Sequence, residues 1–388
     1  MKSGFSMDKL RILHIFRAPV GGLFRHVMDV TREQAARGHD VGIFCDSTTG
    51  GERAEKQLTS LEPHLRLGIK RVPMSRNPSF TDLSALLAFN RHTTTLKLDV
   101  IHGHGSKGGL YARLPAFWGQ QKQAIRAYTP HGGSLNYRPE LMISKLYMQV
   151  ESWLEYKTDI FLFESDFIKR MFYEKVKITS HLHPVVVNGV TEDEFEPVHH
   201  QKTKYDFLYL GELRYAKGID TLLNAMTQMR APDGVTPKLL LVGSGPDENA
   251  LRERVKMLGI GDFVTFEKPM PIREALEKAR IMVVPSRAES LPYVILEAAA
   301  AAQPLVSTDV GGIPEIFGPY TSRLIPPNDP LRLAKAMRQA HDNTDETLKA
   351  DAMLLQDYVR TRFTLKHMVD GILSGYKNAL SNKRENIR

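Results

Sequence analysis

An α/β fold of two doubly wound domains, each built on a parallel sheet, is what this chain predicts, and three observations carry the prediction. Short apolar, β-rich runs alternate with longer helical patterns from end to end, the signature of repeated βαβ units. At 388 residues the chain is long for one hydrophobic core. A polar, turn-rich stretch over 188–204 separates an earlier set of strands from a later one.

In order, the first set of strands is expected at 10–16, 40–45, 65–72, 99–103, 124–129, 160–164 and 184–188. The second set is expected at 206–211, 238–243, 263–267, 281–285, 304–308 and 323–325. The boundaries follow as 1–195 for the first domain, 196–363 for the second, and 364–388 for a final helix with a basic tail. A long helix from about 346 precedes the last helical pattern over 365–380, and the tail over 382–388 is expected to be disordered. Ligands of doubly wound sheets bind beyond the carboxyl ends of the strands, so the two sets of loops are expected to share one cleft.

Composition removes several classes. The lone Cys45 excludes an intramolecular disulfide and a cysteine-based zinc site, which suits a reducing cytoplasmic location. No run approaches the ~18 apolar residues of a membrane span, and the first residues lack the core of a signal peptide. Net charge is +8, with 26 basic against 20 acidic residues up to Phe195. That asymmetry suits an anionic membrane surface or acceptor, or equally a diffuse solubilising charge. Nucleic-acid binding needs basic and aromatic residues interleaved on one face, and no such run occurs. Metal ligation finds little support: Glu192-Asp-Glu194 lies in the expected junction, and His102/His104 and His199/His200 lack evident ligand partners.

The most informative stretch is 287–297 (RAESLPYVILE), where Glu289 and Glu297 bracket a turn from an apolar strand into an Ala-rich helix. A helix N-terminus at such a turn offers unpaired N–H groups to an anion. Carboxylates there repel phosphate, so they are read as acceptors for neutral hydroxyls, such as those of a sugar and a ribose flanking a diphosphate. The loop 211–218 (GELRYAKG) sets Arg214 and Lys217 three apart after a strand, either as solvated charge or as a clamp on a diphosphate. Gly21 and Gly22 after the first strand permit either a plain tight turn or close approach to a ligand. His131 follows a strand between Pro130 and Gly132, where it either orders the loop or presents its imidazole to a substrate hydroxyl. The GxGxxG match at 103–108 lacks the acidic residue about 20 positions on that a dinucleotide site needs, so it is read as a turn lining the cleft.

Taken in order, Gly21-Gly22, the Thr-Pro-His-Gly turn at 129–132, Asn188-Gly-Val, Lys217-Gly218, 242–246 (VGSGP) and the spaced glutamates resemble retaining glycosyltransferases of family 4, over about 10–380. The resemblance implies the GT-B fold, two Rossmann-like domains with the donor held mainly by the second and the acceptor by the first. The last helix then crosses back to the first domain. It further implies that Glu289 contacts donor-sugar hydroxyls and Glu297 the ribose, with Lys217 holding the diphosphate. The turn amides of Ser290, Leu291 and Tyr293 assist, His131 lies beside the reacting sugar, and Gly21-Gly22 approach the phosphates. Two departures stand out. Many family members carry an arginine where this chain has Glu212, so Arg214 is expected to take its role. Pro292 occupies the turn after Glu289 and has no N–H to donate.

By that resemblance the reaction is transfer of a sugar from a nucleotide diphosphate sugar, UDP being the expected nucleotide, to an acceptor hydroxyl with retention. No protein nucleophile is evident at the expected place, which favours a same-face route in which a donor phosphate oxygen takes the acceptor proton. No cofactor or metal is expected. The expected acceptor is a glycan or lipid-linked glycan of surface polysaccharide assembly, with peripheral contact to an anionic membrane. The helix around 141–153, rich in Met and aromatics, either meets such an acceptor or packs in the core. A nucleotide-sugar epimerase of the same shape and a noncatalytic binding subunit are the competing readings.

Overall fold

A computed structural model describes residues 9–119, 121–132, 142–176, 182–199, 203–229 and 236–385. Gly133, Leu141 and the last three residues of the basic tail lie outside them. The chain packs as two units, 1–187 with 366–388, and 188–365.

The first unit is a six-stranded sheet of β1 (Arg11–Ile15), β2 (Asp40–Asp46), β3 (Gly68–Val72), β4 (Val100–His104), β5 (Ile125–Thr129) and β6 (Ile160–Phe161). The spatial order is β3-β2-β1-β4-β5-β6, with every pair parallel. All residues of β2, β4 and β5 are buried, as expected of parallel strands covered on both faces. Leu13, Ile15, Phe44, Phe89 and Tyr111 fill one core cluster, and Tyr128, Phe161, Phe163 and Phe172 another. The glycines at 103–108 serve packing: a Cβ on Gly108 would stand 2.2 Å from the Ile15 carbonyl oxygen, so only glycine lets the helix Gly105–Arg113 lie this close to β1.

The second unit is a five-stranded parallel sheet of β7 (Tyr205–Leu210), β8 (Leu239–Val242), β9 (Val264–Glu267), β10 (Ala279–Val284) and β11 (Leu305–Ser307). Its order is β11-β10-β7-β8-β9. Helices Ile219–Gln228 and Pro330–Asp342 pack Leu222, Leu223, Met226, Leu333 and Met337 onto Phe207, Leu239, Leu241 and Val283.

Three expectations are corrected. The run 184–188 is no strand, making only an isolated Phe163–Val185 bridge; Pro184 lacks the N–H a ladder would use there, although its carbonyl accepts from Phe163 N at 3.1 Å. The run 323–325 contributes a single bridge from Ile325 to Thr308, preceded by the 3₁₀ turn Gly318–Arg323. The tail is helical as far as Glu385 within the helix Leu365–Glu385, because Lys383 Nζ donates to the Ala124 carbonyl at 2.8 Å and reaches Asp159 Oδ2 at 3.1 Å. That helix belongs to the first unit from Lys366 onward, the return expected of it.

Candidate active site

In a doubly wound sheet, two neighbouring strands whose connections leave in opposite directions open a crevice at their carboxyl ends. In the second unit those strands are β7 and β10, and the loops after them carry Lys217 and Glu289. Lys217 Nζ donates to Glu289 Oε1 at 2.7 Å, and Ser286 Oγ donates to the same oxygen at 2.7 Å. Glu289 is largely enclosed, its side chain 9% exposed against 20% for Lys217. Burial of both partners makes the pair less screened than a surface ion pair.

Glycines set the distances around this pair. Gly218 has φ +67°, and a Cβ there would stand 2.0 Å from the Pro285 carbonyl oxygen; Gly311 has φ +62°, with a Cβ 1.8 Å from that of Glu289. The Gly312 N–H donates to the Ser290 carbonyl at 2.7 Å, so the turn after Glu289 is held by main chain from the loop after β11. Ser290 is partly buried, Leu291 and Tyr293 are buried, and the Leu291 carbonyl accepts from Asn188 Nδ2 at 3.0 Å. Tyr293 opens the helix Tyr293–Ala300, and Glu297 stands one turn on, partly buried. Arg214 is paired with Glu212 at 3.2 Å, both side chains about half exposed.

Arg287, which sequence reasoning passed over, ties the two loops together. Its guanidinium donates to both Asp220 oxygens at 2.7 Å, to Thr221 Oγ1 at 2.9 Å and to the Tyr215 carbonyl at 2.6 Å, while stacking on the Tyr215 ring at 4.2 Å. The Asp220 pair holds Arg287 above the ordinary arginine range, and Arg287 holds Asp220 below the usual carboxylate range against the opposing effect of burial. Partners some 67 and 72 positions away leave no local signal.

In the first unit the corresponding strands are β1 and β4. Gly21, with φ +67°, opens the helix Gly21–Ala36; it and Gly22 are exposed, and the space where a Cβ on Gly21 would sit is empty to 4 Å. His131 follows β5 with φ +54°, a left-handed backbone rarely adopted by a non-glycine residue. Its Nε2 lies 3.1 Å from His104 Nδ1, and its ring meets His26 edge-on at 4.8 Å.

His102 and His104, read from sequence as lacking ligand partners, belong to a cluster with His14, His26 and His131. The ligand-capable nitrogens fall into two groups, His14/His102/His104 and His26/His104/His131, each within 4.8 Å. The nitrogens of His14 and His102 are all in hydrogen bonds: His14 to Gln34 and His104, both at 2.9 Å, and His102 to the Tyr376 hydroxyl at 2.7 Å and Thr129 Oγ1 at 2.9 Å. Burial lowers the pKa of His14 to about 4 and holds His102, His104 and His131 well below the ordinary histidine value, so at neutral pH these four are uncharged. The signal available in sequence was His102 and His104 at alternate strand positions; His14 joins them through register, opposite His102.

Two doubly wound parallel sheets define the chain as a GT-B protein, and solved structures share the fold. Sucrose-phosphate synthase from Thermosynechococcus elongatus superposes with a TM-score of 0.80 at 20% identity over 96% of this chain and 100% of that one. Anabaena HepE in complex with UDP superposes at 0.76, with 17% identity over 95% and 100%. The model of glycosyl transferases group 1 matches residues 190–352 and that of glycosyltransferase family 4 matches 20–194. The chain belongs to glycosyltransferase family 4. Among curated relatives, the O-antigen chain mannosyltransferase C of Escherichia coli is 29% identical over 50% of this chain and 53% of its own. The D-inositol 3-phosphate glycosyltransferase of Stackebrandtia nassauensis is 27% identical over 94% and 88%. The chain spans from a third to about half the length of the first curated relatives it matches.

Proposed function

We propose that this protein transfers a sugar from a nucleotide diphosphate sugar to an acceptor hydroxyl with retained anomeric configuration. The observation that carries the reading is Glu289, held by Lys217 and Ser286 between the loops after β7 and β10, in a chain of this family. In the reaction Lys217 turns from Glu289 toward the donor diphosphate, and Arg214 leaves Glu212 to join it. Their charge, with the main-chain N–H groups of Ser290, Leu291 and Tyr293, stabilises the leaving group without a metal ion. Glu289, relieved of its lysine, accepts from hydroxyls of the transferred sugar, and Glu297 accepts from the ribose. His131 hydrogen-bonds the reacting sugar, and Gly21 and Gly22 admit the phosphates to main chain at the start of their helix. No protein nucleophile is assigned, so a donor phosphate oxygen takes the acceptor proton on the same face.

UDP is the proposed nucleotide, a reading supported by the UDP and UDP-glucose complexes of HepE. A glycan or lipid-linked glycan is the proposed acceptor, in keeping with the O-antigen relative. No helix among the described residues is long and apolar enough to cross a membrane. Peripheral contact with an anionic membrane from the cytoplasmic side is supported by the helix Met142–Glu155 and its surroundings, which expose Leu146, Trp153, Trp118 and Tyr156 near Lys157.

Calorimetric titration of UDP, GDP and ADP into the protein and into Lys217→Ala and Glu297→Ala tests the donor site. Binding of one nucleotide, weakened by both substitutions, is expected; no binding of any of the three overturns the reading. Incubation with the corresponding nucleotide sugar then separates transfer from epimerisation by its products.

A further inference from the structure

The histidines of the first unit form a directed chain whose far end is an amide. Gln34 lies near the end of the helix that Gly21 and Gly22 begin, buried and with Oε1 2.9 Å from His14 Nε2. The Tyr376 hydroxyl of the last helix lies 2.7 Å from His102 Nδ1. A carbonyl oxygen only accepts and an amide nitrogen only donates. With Oε1 toward His14, the His14 proton must sit on Nε2, leaving Nδ1 as an acceptor. His104 then donates from Nε2 at 2.9 Å, and its own Nδ1 accepts from His131 Nε2 at 3.1 Å. A neutral imidazole carries one proton, so His131 is left with a lone pair on Nδ1. His102 stands outside this chain, its Nδ1 2.7 Å from the Tyr376 hydroxyl and its Nε2 2.9 Å from Thr129 Oγ1. Rotating the amide by half a turn reverses every bond of this chain and leaves His131 with a proton on Nδ1 instead.

We propose that Gln34 is a positioning residue which, through His14 and His104, sets the tautomer of His131 and so makes its Nδ1 a hydrogen-bond acceptor. The chemical partner this selects is a hydroxyl that donates, as a sugar hydroxyl does, and the link to turnover rests on the role proposed above for His131. The chain needs uncharged imidazoles, since a protonated one donates from both nitrogens and ends the sequence of bonds; burial keeps His14, His104 and His131 neutral at pH 7. Low dielectric around the array strengthens each bond and penalises any break in the chain.

The test is a two-bond ¹⁵N–¹H correlation spectrum of the full-length, ¹⁵N-labelled protein near neutral pH, with His131 assigned by its loss in His131→Asn. The expected wild-type pattern is a protonated Nε2 and a bare Nδ1. Gln34→Leu removes the anchor, and His131 should then show a mixture of tautomers. Gln34→Glu keeps an acceptor toward His14 and should preserve the wild-type pattern. Gln34→Met, closer to glutamine in length and volume and without either amide atom, should also give a mixture, so the proposal stays testable if Gln34→Leu does not fold. In turnover, Gln34→Leu should lower kcat about tenfold, the worth of one hydrogen bond, with the donor Kd unchanged, and Gln34→Glu should recover most of it. A wild-type His131 protonated on Nδ1, or a tautomer indifferent to both Gln34→Leu and Gln34→Met, overturns the proposal. The spectrum needs no turnover: a protein that transfers no sugar but shows the expected tautomer changes would defeat the proposed function and leave the relay standing.

Discussion

Lys217 and Glu289 share an ion pair of 2.7 Å although 72 positions separate them, and the lysine occupies the oxygen that Ser286 also bonds. In the proposed function the pair stores the cation beside its working place: a donor diphosphate would compete with Glu289 for Lys217, and the freed carboxylate would turn to the sugar. Lys217→Ala is therefore expected to lower kcat/KM by about 100-fold to 1,000-fold, the worth of one preorganised charge on a leaving group. Glu289→Gln, which keeps an acceptor for Ser286 and Lys217, should cost less than Glu289→Ala. Steady-state kinetics of the three variants check this, and a Lys217→Ala enzyme within threefold of the parent would remove the lysine from the reaction.

Gly311 is expected to control the same carboxylate without touching substrate. Its φ of +62° is left-handed, and a Cβ there would stand 1.8 Å from the Glu289 carbonyl oxygen, so the site has no room for a methyl group. Gly311→Ala should push the turn at 289–291 outward, weakening donor binding more than it lowers the unfolding temperature. Calorimetry and a thermal melt on one preparation decide it; intact donor affinity would mean that the turn does not need its present position.

Both sheets were legible from sequence because buried parallel strands are largely apolar runs, and β1, β2, β4, β5, β7, β8, β10 and β11 fall within or near such runs, while the edge strand β9 is only partly buried. Runs lacking ladder partners misled, as at Pro184, whose missing N–H is visible in sequence but whose consequence depends on which strand lies beside it. Glu289 and Lys217 were legible as loop residues after strands. The histidine array was not, because it needs the register of β1 against β4 and the return of Tyr376 on the last helix. Arg287 was hidden likewise, since its partners Asp220 and Tyr215 come from another βα unit.

The last helix holds to the first unit through small residues. Cβ atoms at Gly371 and Gly375 would each stand 2.9 Å from a side-chain carbon, of Val186 and Ile160 respectively. These glycines are one turn apart, so one helix face approaches the edge of the sheet closely. Gly375→Leu overfills this contact and should destabilise the protein by about 1–3 kcal/mol. Urea unfolding measures it, and an unchanged midpoint would show that the helix is free to shift outward.

Acid should unfold the first unit through its histidines before its carboxylates respond. Folded His14 titrates at about 4 against an ordinary 6.5, and His102, His104 and His131 are displaced the same way, because burial disfavours their charged forms. As pH falls below 6.5 the unfolded chain binds protons that the folded chain refuses, so stability is intact above 6.5 and drains away toward the folded pKa. Each such histidine contributes a slope of about 1.4 kcal/mol per pH unit in that window. The first unit's carboxylates held below their ordinary 3.8, Asp46, Asp82 and Asp370, lose their stabilising effect only at lower pH, so the two windows separate. Urea unfolding at about pH 7.5, 6 and 5 should show a steep fall. His14→Asn should reduce its slope by about one proton whatever it does to the absolute stability. A slope the substitution leaves unchanged would mean that His14 takes up its proton in the folded protein at an ordinary pH.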